Sequence, residues 1–178
     1  MTTDIIYLRG QGSLVEGAKV TSLRAAGYEV LVPGSHELDF AQRIIEAMRV
    51  IERVRPHLVV GAGLGGLVGL CAMELLDKLG AMRHGNLLLL GPAVATSYVE
   101  TYPASVLHLN PPKGHVAILQ GSQSVNHEAV ARFAATRGIP YTAVPDGQKL
   151  ENSHDVVLSM VNDLIGFDVE GRNARREP

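Results

Sequence analysis

Short apolar runs that alternate with amphipathic segments constrain the fold of this chain more than any other feature of its sequence. The runs are continuously apolar, which is typical of parallel strands covered on both faces. Several of them end at a glycine or a proline, as at Gly10, Gly61 and Gly91, where a strand turns into a loop. Six strands are predicted: Ile5–Leu8, Tyr28–Val32, Leu58–Val60, Leu87–Leu90, Val116–Leu119 and Tyr141–Val144.

Helical periodicity fills the segments between these strands. The pattern Ser13-x-x-Glu16 fits a capping box, so Ser13 is predicted to cap a helix that ends near Gly27. A buried central helix is predicted from Leu64 to Leu79, because the first half of that segment is apolar nearly all round. The alternation predicts an α/β fold, a three-layer sandwich around a mostly parallel sheet of about six strands. The remaining helices are predicted at Glu37–Arg55, Glu128–Thr136 and Asp155–Ile165.

Composition indicates one folded domain. The chain has 178 residues, of which 46% are hydrophobic and 19% are charged, whereas disordered chains combine low hydrophobicity with high net charge. A chain of this size can bury a substantial core. Residues 1–167 are therefore expected to form a single α/β domain, followed by a frayed polar tail over residues 168–178.

Charge and residue usage disfavour several classes of protein. The net charge is −2 and the isoelectric point is about 6.4, so no nucleic-acid partner is expected. Cys71 is the only cysteine, which excludes an intrachain disulfide and a cysteine-rich zinc site. No apolar stretch is long enough for a membrane span, and the first residues lack the basic segment of a signal peptide. A cytoplasmic protein is expected.

Two further expectations concern partners and metals. The low share of charged residues suggests a surface covered by a protein partner or by a second copy of the chain. The histidines show no spacing typical of metal ligands. His108 and His115, which flank Pro111 and Pro112, are therefore interpreted as loop histidines. Neither a metal nor a cofactor is expected.

The segment Leu58–Gly66 is the most informative part of the sequence. A predicted strand runs into Gly61, Gly63, Gly65 and Gly66, and then into the buried helix. Glycines in such a turn allow a positive φ or a close approach of two backbones. The plainest interpretation is a tight turn that packs a helix on a strand. Two functional interpretations compete with it.

The first functional interpretation is a nucleotide-binding loop. Gly61, Gly63 and Gly66 satisfy the spacing G-x-G-x-x-G between a strand and a helix. A dinucleotide site also needs an acidic residue at the end of the next strand, where this chain has Leu90-Gly91-Pro92. The motif also lies in the third strand–helix unit rather than the first.

The second functional interpretation is a nucleophile elbow, G-x-S-x-G, in which Gly63 replaces the central serine. Gly61 and Gly65 occupy the flanking positions, which must be small because the turn is tight. This interpretation makes the segment the remnant of a hydrolase active site.

The rest of the chain supports the elbow. Ile6–Ser13, followed by a Gly-x-Lys helix start at Lys19, resembles the opening of small bacterial α/β-hydrolases of the YqiA-like esterase group. Arg55–Gly61 is similar to their approach to the elbow, and Leu89–Ala93 is similar to the strand after it. The resemblance covers about residues 4–166 and implies a minimal α/β-hydrolase-like domain.

The resemblance also implies where the catalytic residues of a hydrolase would lie. The nucleophile position falls on Gly63, which has no side chain to attack with. The acid position in Gln120–Val125 falls on Ser124, and the base position in Val144–Leu150 falls on Gln148. Since all three positions are substituted, no catalytic residue is expected and a pseudo-hydrolase is predicted.

Few other groups offer a replacement chemistry. In a looser alignment His154 supplies the base, although a histidine in the first turn of a surface helix is the plainer interpretation. Cys71 lies in an apolar run and is interpreted as a buried thiol. The pocket is expected to be lined by Arg9, Gly10, Gln11, Gly12, Leu64 and Tyr98, with Ser97 and Tyr102 as further lining candidates.

Three functions follow from these interpretations. The favoured one is a pseudo-hydrolase that works as a binding or assembly module, with a small molecule in its vestigial pocket or a protein on its surface. The alternative is a divergent hydrolase or esterase that uses His154, Ser124 and Arg9. A nucleotide-binding protein that uses Gly61–Gly66 is the third.

Overall fold

Strands and helices alternate along the chain as predicted. The computed structural model describes residues 3–34, 37–81, 85–94 and 111–173, with side chains described up to residue 166. The strands are β1 (Ile5–Leu8), β2 (Val30–Leu31), β3 (Leu58–Ala62), β4 (Asn86–Leu90), β5 (Val116–Gly121) and β6 (Tyr141–Val144). The helices in these ranges are α1 (Ala18–Ala25), α2 (Phe40–Val54), α3 (Leu64–Lys78), α4 (His127–Arg137) and α5 (His154–Asn173).

All six strands are parallel and form one sheet in the order β2-β1-β3-β4-β5-β6, which confirms the predicted fold class. Ile5 on β1 lies opposite Val30 on β2 and Leu58 on β3. The chain therefore moves to one side after β1 and to the other side after β2. Such a switch point leaves a crevice at the carboxyl ends of β1 and β3, where ligands of open parallel sheets bind.

Two apolar clusters cover the two faces of the sheet. Ile6 and Leu8 of β1 face α2, α3 and α4, whereas Ile5 and Tyr7 face α1 and α5. The predicted central helix is confirmed, because nearly every residue of α3 is buried. Within the described part of the chain, no helix is long and apolar enough to cross a membrane.

The helix cap predicted at Ser13 is wrong. Helix α1 begins at Ala18 with Gly17 as its N-cap, and no side chain caps it. The carbonyl oxygen of Ser13 accepts a hydrogen bond from Nη1 of Arg9 at 2.7 Å, and its hydroxyl lies beside Gly10. Arg9, which directly follows β1, therefore holds Ser13 in place. As a result, the connection to α1 turns over the carboxyl edge of the sheet before the helix begins.

Other boundaries shift for local reasons. Helix α2 begins at Phe40 rather than Glu37, because Asp39 and Gln42 form a capping box. Strand β2 is shorter than predicted, since the N–H of Tyr28 donates to the carbonyl of Leu23 at the end of α1. Helix α5 continues to Asn173 instead of ending at Ile165, so the backbone of residues 168–173 is helical where a frayed segment was predicted. No proline interrupts it.

Candidate active site

The turn between β3 and α3 has the geometry of an elbow. Gly63 is the N-cap of α3 and has φ 53° and ψ −119°, a combination that a residue with a side chain adopts only with strain. Its N–H donates to the carbonyl of Leu90 at 2.9 Å, and its own carbonyl accepts from Gly66 at 3.1 Å and Ala93 at 3.2 Å. The end of β4 therefore fixes the sharp turn in place.

The glycines beside Gly63 allow backbones to touch. A Cβ atom on Gly65 would lie 2.1 Å from the carbonyl oxygen of Leu8, and one on Gly61 would lie 2.6 Å from the carbonyl oxygen of Gly65. Close packing of α3 on β1 and β3 therefore accounts for these two glycines. They need no bound phosphate to explain them.

Gly63 itself faces open space. A Cβ atom there would meet only the Cα of Gly10, at 3.8 Å, which is an ordinary contact. The position therefore has room for a side chain, and that side chain would stand in the cavity that Gly63 lines. Only the backbone conformation disfavours it.

A cavity of about 650 Å³ lies at the carboxyl edge of the sheet, over the switch point. Four residues that were predicted to line it do so: Gly10, Gln11, Gly12 and Leu64. Tyr98, which was also predicted, lies outside the described residues together with Ser97, Tyr102 and His108. The remaining polar lining comes from Tyr7, Ser13, Lys19, Gln148, Lys149, Glu151 and His154.

Arg9 does not line this cavity, contrary to the prediction. Its side chain is buried, with 6% of its surface exposed. One guanidinium nitrogen donates to Ser13, and Nε and Nη2 have no hydrogen-bond partner among the described residues. Arg9 therefore supports the loop after β1 from behind the wall of the cavity.

The acid and base positions of the hydrolase pattern come together through Asn126. The backbone N–H of Asn126 donates to Oγ of Ser124 at 3.2 Å, and its side-chain amide donates to Oε1 of Gln148 at 3.1 Å. Gln148 lines the cavity, whereas Ser124 does not. Because all three side chains are uncharged amides or hydroxyls, they offer no proton acceptor comparable to a histidine paired with a carboxylate.

Asp146 is the acidic residue nearest to these positions in the sequence, and its carboxylate is fully engaged by its own loop. It accepts from the N–H of Gly147 at 2.7 Å, the N–H of Asn152 at 2.8 Å and the hydroxyl of Ser153 at 2.8 Å. These hydrogen bonds, that of Ser153 first, lower the pKa of Asp146 below its ordinary value despite its burial. Asp146 therefore shapes the loop that carries Gln148, and it remains ionised.

Burial shifts the pKa of two cavity residues. Burial raises the pKa of Tyr7 to about 12, so its hydroxyl remains a donor at neutral pH. Burial also lowers the pKa of Lys19, although the charges of Asp146 and Glu151 oppose that effect. The Lys19 ammonium donates to the backbone carbonyl of Lys149, which ties α1 to the loop after β6.

His154 is the first residue of α5 and lines the same cavity as Gly63. It therefore begins a helix, as the plainer interpretation predicts, and it also lines the pocket; its role as a base stays a prediction. His115 precedes β5 and so lies at the opposite, amino edge of the sheet.

Cys71 is buried in the middle of α3, as predicted. Burial, and then the charge of Glu74, raises the pKa of its thiol to about 12. A thiol in this state is a poor nucleophile. Cys71 is therefore part of the core.

Sequence reasoning missed several residues of the cavity, chiefly Tyr7, Lys149 and Glu151. Lys19 was noticed only as part of a family pattern. A usable signal existed for part of this set, because Tyr7 lies next to the carboxyl end of β1 and both Lys149 and Glu151 follow β6. The carboxyl ends of parallel strands share one edge of the sheet, so charged residues just beyond them are candidates for a common site.

Comparison with known proteins identifies the fold. Neither a family model nor a curated protein sequence matches the chain. A protein from Xanthomonas campestris described as a hydrolase of the alpha/beta superfamily superposes with a TM-score of 0.70 at 17% identity, over 93% of this chain and 99% of that one. Esterase B from Lactobacillus rhamnosis superposes with a TM-score of 0.67 at 16% identity, over 99% of this chain and 80% of that one. A Pyrobaculum calidifontis esterase superposes with a TM-score of 0.63 at 14% identity, over 93% of this chain and 77% of that one. The chain has an α/β-hydrolase-like fold.

Proposed function

We propose that this protein is a pseudo-hydrolase, a binding module that keeps the α/β-hydrolase architecture without its ester-cleaving chemistry. The observation that carries the proposal is the elbow at Gly63, whose turn is intact and whose side chain is absent. The sequence resemblance to the YqiA-like esterase group supports the same assignment, because it puts the nucleophile at this residue.

The loss of the nucleophile decides the expected rate. Removing the serine of a serine hydrolase costs on the order of 10⁶ in turnover, and about 10³–10⁴ over water remains from the oxyanion hole and binding. Ser124 and Gln148 are both neutral and hydrogen-bonded to Asn126. A water molecule in the cavity therefore meets no activated base at these positions.

The cavity is suited to binding a small molecule. Its volume of about 650 Å³ falls within the range of ordinary ligand pockets. Leu64 begins α3, and the N–H of the first residue of a helix has no partner within it, so the N–H of Leu64 is available to a carbonyl or other acceptor. A protein partner, or a second copy of the chain, is the alternative occupant of the same edge of the sheet.

Two measurements test the proposal. Wild-type protein should hydrolyse p-nitrophenyl esters and thioesters no faster than heat-denatured protein. The triple variant Gly63→Ser/Ser124→Asp/Gln148→His should gain turnover, by about 100-fold or more if the restored acid–base pair is in place. A triple variant that folds and stays as inactive as wild type would contradict the assignment of the three positions.

A divergent esterase is the second candidate, and the presence of His154 in the cavity favours it. A histidine there could act as a general base on water. Turnover by wild-type protein that His154→Gln abolishes, and that His115→Gln at the opposite edge of the sheet leaves unchanged, would establish this candidate and overturn the first. Stabilisation by millimolar NAD without ester turnover would instead favour the nucleotide-binding alternative.

A further inference from the structure

Lys19 is the cavity residue whose chemistry the proposed function leaves unused. It lies in the first turn of α1 and lines the same cavity as Gly63 and His154. The side chain of Lys19 is half-buried, and its Nζ donates to the backbone carbonyl of Lys149 in a hydrogen bond that solvent can reach. The amine is therefore held at a defined place in the cavity wall.

The surroundings of Lys19 favour a neutral amine more than those of a lysine on the surface. Burial lowers its pKa, and the positive charge of Lys149 acts in the same direction. Asp146 and Glu151 act in the opposite direction, without restoring the ordinary value. The hydrogen bonds to Gly147, Asn152 and Ser153 already engage the Asp146 carboxylate.

We propose that Lys19 binds an aldehyde or ketone ligand in this cavity through a reversible imine. The ligand occupies the cavity assigned above, so this inference rests on the proposed function. The position of the amine carries it, since Lys19 stands in the wall of a cavity large enough for a small carbonyl compound.

The chemistry balances without an oxidant or a reductant. The lone pair of the neutral Nζ forms a bond to the carbonyl carbon while the C–O π bond breaks; the oxygen then takes up one proton and the nitrogen releases one, which gives a neutral carbinolamine. A second proton converts that hydroxyl to water, which leaves as the protonated imine forms. Tyr7, Glu151 and His154 line the cavity and are the available proton donors or acceptors. The iminium N–H can still donate to the Lys149 carbonyl, and water reverses the sequence.

Lys149 provides an internal comparison. Its side chain lines the same cavity but is exposed, so it meets the same ligand without the burial that favours the neutral form of Lys19. Lys113 is an exposed lysine that does not line the cavity. Selective reaction at Lys19 would therefore reflect its surroundings and not access alone.

The experiment treats the full chain with benzaldehyde and sodium cyanoborohydride at neutral pH and maps the benzylated lysines by peptide mass spectrometry. We expect labelling of Lys19 to exceed that of Lys113 and Lys149 several-fold, because Lys19 is held in the cavity wall and burial lowers its pKa. The variant Lys19→Arg keeps the charge and can keep the bond to Lys149, yet it forms no stable imine. It should lose the selective label while retaining its circular dichroism spectrum.

Benzyl alcohol separates this inference from the proposed function, because it is close in size to benzaldehyde but forms no imine. Stabilisation of wild type and Lys19→Arg by the alcohol, together with labelling spread evenly over the lysines, would leave a binding cavity and overturn the imine. Absence of both stabilisation and selective labelling would overturn the imine and remove this ligand class from the cavity. Selective labelling that disappears in Lys19→Arg supports the proposal.

Discussion

Gly63 and Gly65 are two residues apart, yet each is glycine for a different physical reason. Gly63 has a positive φ with open space where a Cβ would stand, so a side chain there is strained but does not collide. At Gly65 the missing Cβ would lie 2.1 Å from the carbonyl oxygen of Leu8. The first glycine relieves backbone strain, and the second lets helix α3 touch strand β1.

This difference gives a paired prediction. Gly63→Ala should lower the free energy of unfolding by about 1–3 kcal/mol, the usual cost of a strained backbone conformation. Gly65→Ala should cost more than about 3 kcal/mol, because helix and strand must separate to admit the methyl group. Urea unfolding of both variants, followed by circular dichroism, measures the two losses.

The surface residue Gly80 provides the control for the paired substitutions. It has a positive φ of 67°, and a Cβ atom added there would have nothing within 4 Å, so Gly80→Ala should behave like Gly63→Ala. Equal losses at Gly63 and Gly65 would contradict the contact between α3 and β1 described above.

At the scale of elements, the loop between β6 and α5 depends on one carboxylate. Asp146 accepts hydrogen bonds from Gly147, Asn152 and Ser153, and Lys19 ties the same loop to α1. The loop also carries Gln148, whose backbone carbonyl lies against Gly91 at the end of β4. One acidic side chain thus organises the wall of the cavity opposite Gly63.

Replacing Asp146 should therefore produce a loss of stability that depends on pH. The folded pKa of Asp146 is lowered, so its contribution is present above the unfolded pKa of about 3.9 and is lost as the pH falls through the folded value. Asp146→Asn should lower the urea midpoint at pH 7, and the difference from wild type should shrink below about pH 4. The exposed residue Asp163 provides the control, Asp163→Asn, which should change the midpoint little at either pH. A pH-independent deficit in Asp146→Asn would contradict the role of the ionised carboxylate.

Most of the element order could be predicted from apolar runs and their breakers. The bounds of β1 and β6 agree with the sequence, because each run begins and ends sharply. Periodicity could not place the start of α1, since it does not register the bond from Arg9 to the carbonyl of Ser13. The sequence pattern also started β2 at Tyr28, whereas the N–H of Tyr28 donates to the carbonyl of Leu23 at the end of α1.

The site was partly predictable for a related reason. The glycine spacing identified the turn at Gly63, because tight turns leave a local signature. Ser124 and Gln148 are both neutral, and each accepts a hydrogen bond from Asn126, a residue that belongs to no motif found in the sequence. Lys19 and Glu151 reach one cavity from distant parts of the chain, and only the order of the strands brings them together.

For the whole molecule, the central sheet carries the buried apolar core on its two faces. The two apolar clusters pack on β1, β3, β4 and β5, and most of their residues do not line the cavity. Leu58 and Val60 of β3, and Leu87 and Leu88 of β4, are completely buried. A substitution at Gly63, which has open space for a side chain, therefore leaves the main source of stability in place, as the proposed pseudo-hydrolase requires.

Hydrogen exchange should follow this architecture. Amides of β3 and β4 should exchange most slowly, since these strands are paired on both sides and buried between helix layers. Amides of β6 should exchange faster, because it is an edge strand and both Thr142 and Ala143 are exposed. Mass spectrometry of peptides from the two regions tests the order. Protection of β6 equal to that of β3 would contradict an open edge, and a concentration dependence of that protection would mean that a second copy of the chain covers the edge.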